Sequence, residues 1–332
     1  MWDGGKVISY GFSIQGKNHL KNGTVCQDHH KIEKINDKWY IAAVADGVGS
    51  ACKAEIGAKI AVETVVEFCK QNIEADNSVT SCKCMMDKAF REALTAIKQK
   101  AEVTQEDIRQ YDTTLTCGLY DGNQLIYGHS GDGGIIVINT EGNFECVTKP
   151  QKGIDGISVC PLRDEQWIIE RYKQKIVGVL LLTDGLYDTI MPYLLRFSEN
   201  KIYIPMVINY FSVLESQNEI SNYVERLLCN NVKEEEYDNR IEHWLRNLGL
   251  CSNDCEEIIH SIQQNEFPLS MLNEVGDDKT AVVLINEKKS IKKKDKKYYM
   301  EPKWNEYVEK WNRQVYPHLY SDMKSERDDG VK

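Results

Sequence analysis

The chain has 332 residues, 42% hydrophobic and 28% charged, with a formal net charge of -10; that suffices for a full core in one large domain plus an appendage. The acidity argues against a general nucleic-acid binder. No apolar run approaches bilayer length, so no membrane span is expected, and residues 1–6 carry no signal-peptide pattern.

Residues 7–14 alternate as a strand, and a polar loop with Gly16, Asn18, Asn22 and Gly23 leads to Cys26-Gln27-Asp28. Residues 29–35 and 39–45 flank Asn36-Asp37 as a hairpin. From Ala54, the apolar Ile56, Ile60, Val65, Phe68 and Ile73 recur at helical spacing. A second helix starts near Ser81, a suitable N-cap, and turns Met85, Ala89, Phe90, Leu94 and Ile97 inward. Strands then follow at 113–119, 125–127, 135–138, 144–147, 167–169 and 176–182. The short turns Asp121-Gly122-Asn123 and Glu141-Gly142-Asn143 make their neighbours antiparallel. Three strands, two helices and then many strands suit sheets packed on each other and flanked by helices, an α+β arrangement, better than a doubly wound parallel sheet.

Residues 191–275 are longer, more helical and acidic around Glu234-Glu235-Glu236, and read as an inserted helical subdomain before a strand at 280–285. Residues 287–302 form a Lys-rich linker; seven Lys in 287–297 against Glu287 and Asp295 give a local net of +5. Having almost no apolar area to offset its ordering entropy, the stretch 288–297 is expected to be a mobile tether. Residues 303–332 make an amphipathic helix and tail, with Trp304, Tyr307, Val308, Trp311 and Val315 as an apolar stripe. That stripe is expected to dock on the parent domain; the competing reading is a protein partner of this C-terminal helix. None of the eleven Cys forms Cys-x-x-Cys, and Cys251 and Cys255 lack a His-rich partner segment. Structural zinc is therefore not expected, and reduced thiols in a cytoplasmic protein are.

Two stretches share one grammar. Residues 39–45 and 176–183 are apolar runs that stop at Asp46-Gly47 and Asp184-Gly185. A carboxylate placed directly after a buried strand sits at the sheet's rim, and the Gly lets backbone approach what it binds. Asp-Gly is also a common turn dipeptide, as at Asp121, Asp132 and Asp155; the long buried-type run is what singles out the first two. Collecting acids at strand ends and tight turns gives Asp28, Asp46, Asp132, Asp184 and Asp277. Such an all-oxygen set selects Mg²⁺ or Mn²⁺ over zinc or copper, and could not converge without a cation.

The chain resembles the metal-dependent protein serine/threonine phosphatases of type 2C (the PPM family), especially the compact bacterial type. The matching stretches, in family order over residues 7–286, are Cys26-Gln27-Asp28, Ala45-Asp46-Gly47-Val48-Gly49-Ser50, Thr113-Thr114-Leu115, Gly131-Asp132, Thr183-Asp184-Gly185 and Asp277-Asp278-Lys279-Thr280. The resemblance implies a phosphatase domain over 1–286, built as a four-layer α-β-β-α sandwich with two central, mainly antiparallel sheets. It implies two Mn²⁺ or Mg²⁺ ions and a third, weaker site. Asp46 would bridge the two ions, the Gly47 carbonyl would complete one shell, and Asp184 and Asp277 would hold the other. Asp28 would act through water, and Asp132 with Asp184 would form the third site. Catalysis would rest on Asp46, Asp184 and Asp277, and the partners would be proteins phosphorylated on Ser or Thr. Three departures stand out. Gly23 occupies the place of a phosphate-gripping Arg, leaving Lys21 and His19 as substitutes. Gln27 replaces a Glu, and Val48 stands where some relatives carry a His. The other readings are a catalytically weak phospho-binding or scaffold relative, and a small-molecule phosphate-ester hydrolase on the same fold.

Overall fold

The computed structural model describes residues 7–74, 78–153, 155, 158–212, 217–229, 232–264 and 274–320. The rest of the expected inserted subdomain and the tail beyond residue 320 lie outside the described residues.

Among the described residues ten strands form two five-stranded antiparallel sheets. One has the order β1 (Val7–Ile14), β10 (Lys279–Asn286), β9 (Ile176–Leu182), β6 (Gly134–Asn139), β7 (Phe144–Cys146). The other runs β2 (His29–Lys34), β3 (Tyr40–Ala45), β4 (Leu115–Tyr120), β5 (Leu125–Ser130), β8 (Ile168–Arg171). Alternate side chains serve opposite layers, as period-2 geometry requires. In β3, Ala42 and Val44 point into the space between the sheets, while Ile41, Ala43 and Ala45 face helices. In β10, Val282 and Leu284 enter the inter-sheet core and Ala281, Val283 and Ile285 the opposite one. Both faces of these strands are covered, which is why they read as continuous apolar runs despite being antiparallel.

The outer layer over the β2–β8 sheet is α2 (Ala54–Asn72) with α3 (Val79–Thr104). Gly57 lets α2 press close to its neighbour; a Cβ there would lie 2.0 Å from the Tyr111 carbonyl oxygen. The N-cap of α3 is Ser78, three residues earlier than expected, its side chain accepting from Ser81 N–H at 3.1 Å. The other outer layer holds α4 (Asp184–Ile190), α5 (Ile204–Phe211), α6 (Gln217–Leu228), α7 (Glu234–Asn247) and α8 (Ser252–Gln263). The result is a four-layer α-β-β-α sandwich. The stretch expected as a polar loop at 16–23 contains a short helix, α1 (Lys17–Asn22), closed by Gly23 in the left-handed region at φ 69°. Its composition offers no apolar stripe by which to read it.

The Lys-rich stretch differs from its expectation. It is a packed strap rather than a tether. Lys292 N–H donates to Thr140 O at 3.0 Å, Tyr298 OH accepts from Phe144 N–H at 2.8 Å, and Tyr299 is fully buried. The apolar area that composition concealed lies in Ile291, Tyr298 and Tyr299, while Lys292 and Lys296 reach outward to acids, Lys296 Nζ to Glu257 at 2.6 Å. The following helix, α9 (Trp304–Val315), docks by Trp304, which is 9% exposed and lies edge-on to Tyr203 with ring centroids 5.4 Å apart. Glu301 joins both rings, accepting from Tyr203 OH at 3.0 Å and from Trp304 Nε1 at 2.5 Å. Truncation after Asn286 should therefore lower the melting temperature, and Trp304→Ala alone should remove about 3 kcal/mol, the usual cost of losing a large buried aromatic. Equal chemical-denaturation curves for parent and variant would contradict this.

Candidate metal centre

The acids gather where strands of both sheets end on one rim. Asp46 follows β3, and its backbone is clamped by the Thr113-Thr114 pair. Asp46 N–H donates to Thr114 Oγ1 at 2.9 Å, Thr114 N–H donates to Asp46 O at 2.8 Å, and Thr113 Oγ1 donates to the same carbonyl at 2.8 Å. Gly47 bridges to Thr113, and its N–H donates to Gln27 O at 3.2 Å. Asp184 opens α4 directly after β9, and Asp132 occupies the turn between β5 and β6. Gly131 before it has φ 114°, and a Cβ there would meet Thr114 at 2.5 Å, so only Gly fits this turn.

Asp46, Asp132 and Asp184 can each place one carboxylate oxygen within 4.8 Å of the others. Asp28 and Asp277 border this group, and their charges bear on Asp46. Asp28 is buried and takes a 2.7 Å hydrogen bond from Thr183 Oγ1 on Oδ2, while its Oδ1 has no partner. Asp132 Oδ1 is likewise buried without a partner. Asp277 is the most open of the five, its side chain 51% exposed, with Oδ1 accepting from Asp278 N–H at 2.8 Å.

Burial, then the neighbouring carboxylates, pushes the Asp184 carboxyl up to about 8 and holds Asp46 well above the ordinary carboxylate range. Asp28 is pushed up to about 7, chiefly by burial and against the hydrogen bonds it accepts. Orphaned buried oxygens and carboxylates crowded beyond their own tolerance form a donor set suited to hard divalent cations. No soft donor enters the three-carboxylate group.

The two candidate phosphate contacts fare differently. His19 points inward, its Nδ1 2.9 Å from Asp278 Oδ1, whereas Lys21 is exposed on α1. Val48 takes part through its backbone, its N–H donating to Asp112 O at 3.0 Å. Three residues at the site carry no role in the sequence reading, although Asp278 falls within one of its matching stretches. Asp278, 1% exposed, accepts from the N–H groups of Gly16 and Gln27, each at 2.6 Å, and so ties the Asp28 segment to β10. Lys152 Nζ stands 2.6 Å from Asp132 Oδ2, and Asp188 lies one helical turn beyond Asp184. The i,i+4 spacing of Asp184 and Asp188 was a usable signal; nothing local marks Lys152.

A family model described as protein phosphatase 2C matches residues 15–246. The chain belongs to the protein phosphatase 2C family, a metal-dependent family, and is a protein serine/threonine phosphatase. Its fold is similar to that of a bacterial serine phosphatase, at 14% identity over 87% of this chain and 100% of that one, with a TM-score of 0.51. A variant of a bacterial serine phosphatase aligns at 13% identity over 87% and 100%, with a TM-score of 0.55. The serine/threonine phosphatase Stp1 from Staphylococcus aureus aligns at 15% identity over 86% and 98%, with a TM-score of 0.50. No curated protein sequence matches.

Proposed function

We propose that this phosphatase hydrolyses phosphoserine and phosphothreonine in proteins with two divalent ions, Mn²⁺ or Mg²⁺, held at the acidic rim. The observation that carries the reading is the convergence of Asp46 and Asp184, in the carboxylate group that also includes Asp132, beside the orphaned buried oxygen on Asp28. Asp46, Asp184 and Asp277 would hold the ions with the Gly47 carbonyl, and Asp28 would orient water. When bound, such ions activate water for in-line attack on phosphorus and neutralise phosphoryl charge. The protein's part is orientation. The threonine clamp holds Asp46, and Thr183 holds Asp28 by Oδ2, leaving its Oδ1 free. With Val48 beside Gly47 in place of a His, the leaving oxygen would take its proton from water or from another residue.

Metal-dependent hydrolysis of a phosphothreonine peptide, assayed beside a small phosphate ester, tests this reading. Preference for the peptide is expected. Preference for the ester would move the activity to small molecules, and full turnover in excess EDTA would remove the two-ion reading. The missing guanidinium makes substrate grip a separate question. Lys21 has no ion pair among the described residues and remains available to phosphate, so Lys21→Ala should raise KM for the peptide severalfold with a smaller fall in kcat. His19→Ala should lower thermal stability instead, because the buried Asp278 loses the imidazole that stands 2.9 Å from its Oδ1. Unchanged kinetics in both variants would leave the ions as the sole phosphate contact. Among the described residues no helix is long and apolar enough to cross a membrane. A cytoplasmic setting and phosphoprotein partners belong to this same proposal.

A further inference from the structure

Lys152 is a cation built into an acidic site. Its Nζ lies 2.6 Å from Asp132 Oδ2 and also faces the charges of Asp184 and Asp188. The segment bearing it is stitched to the turn that carries Asp132. Gln151 N–H donates to Gly131 O at 2.8 Å, and Gly131 N–H returns a bond to Gln151 Oε1 at 3.0 Å. Cys160 N–H donates to Gln151 O at 3.1 Å, and Lys152 forms an antiparallel bridge with Val159. Gln151 Nε2 adds a bond to Gln166 O at 3.0 Å. The ammonium is thus delivered by backbone fastened to its own counter-ion, which separates it from a surface lysine that only happens to reach an acid.

The two oxygens of Asp132 have different surroundings. Oδ1 is buried without a partner, whereas Oδ2 is taken by the ammonium. We propose that Lys152 stands in for a further divalent ion on Asp132, so that this protein works with the two-ion complement alone. The inference rests on the two-ion reading above. A small divalent ion on Oδ2 would sit roughly 2.0–2.1 Å from that oxygen, in the space the ammonium now fills, and like charges so close repel strongly in a half-buried site. Lysine meets the carboxylate with one charge and imposes no coordination geometry, whereas a small divalent ion demands a nearly complete oxygen shell.

The test is Mn²⁺ uptake by metal-free protein, followed by equilibrium dialysis with electron paramagnetic resonance of the free ion. Wild type, Asp132→Asn, Lys152→Gln and the Lys152→Gln/Asp132→Asn double variant are compared, with circular dichroism to establish folding. Lys152→Gln should take up one Mn²⁺ per chain more than wild type, and the double variant should lose that extra ion. Equal uptake by wild type and Lys152→Gln overturns the inference and leaves the two-ion reading standing. So does a third ion in wild type that Asp132→Asn removes. No Mn²⁺ uptake by wild type overturns both.

Discussion

Asp46→Ala and Asp184→Ala should each lower turnover by on the order of a thousandfold, the scale of losing a main electrostatic contributor to the reaction. Their metal-free melting temperatures should hold or rise. The two halves of this expectation have one cause. Both carboxyls are pushed up by burial and then by neighbouring acids, so in the absence of ions they oppose the fold they belong to. Alanine removes that repulsion. The backbone of residue 46 stays held by Thr113 and Thr114, whose bonds to its N–H and carbonyl do not involve its side chain. Steady-state rates on a phosphothreonine peptide and calorimetry of the chelated proteins measure the two halves independently. Wild-type rates in either variant would return that aspartate to a turn-forming role, and a collapse in melting temperature would mean that its charge supports the fold.

Without divalent ions the protein should lose stability as pH rises from about 4 to about 8. Asp28 and Asp184 keep their protons to about 7 and about 8 in the folded protein, whereas in the unfolded chain they ionise near pH 4. Between those limits the native state binds more protons than the unfolded one. The contribution is therefore fully present below the unfolded value and lost as pH rises through the folded values. Glu301, pushed up to about 7 by burial, acts in the same sense. Glu106 and Asp107, held down to about 2 by hydrogen bonds from Lys53 and Arg109, act oppositely, but only below about pH 4. Saturating Mn²⁺ should reverse the trend, because ions bind the deprotonated carboxylates; at a hundredfold excess over Kd a single ion adds about 2.7 kcal/mol. Melting curves at pH 5 and pH 8, in EDTA and in Mn²⁺, check both parts. A chelated protein more stable at pH 8 than at pH 5 would contradict the crowding of the rim.

Much of the architecture was legible because both central sheets are covered on both faces. Strands such as β3, β9 and β10 must then be apolar at nearly every position, and such a run ending in Asp46 or Asp184 stands out against any polar background. The helices α2 and α3 bury one side only, so their spacing betrayed them. The Lys-rich strap was misread for the opposite reason. Its charges dominate its composition, while three apolar side chains decide its packing.

The sequence by itself determined which residues are acidic at the strand ends, and with them the preference for a hard, oxygen-bound cation. It also settled the order of elements that a double-sheet sandwich needs. Only the tertiary structure decided which acids meet, that Asp46, Asp132 and Asp184 converge while Asp277 stands more open at the border. It alone placed Lys152 against Asp132, and Asp278 beneath the N–H groups of Gly16 and Gln27. The physical reason is distance along the chain. Strand burial and helix amphipathicity are written in neighbouring residues, but Asp278 meets Gln27 across 251 positions, and no local pattern encodes a pair that chain folding alone brings together.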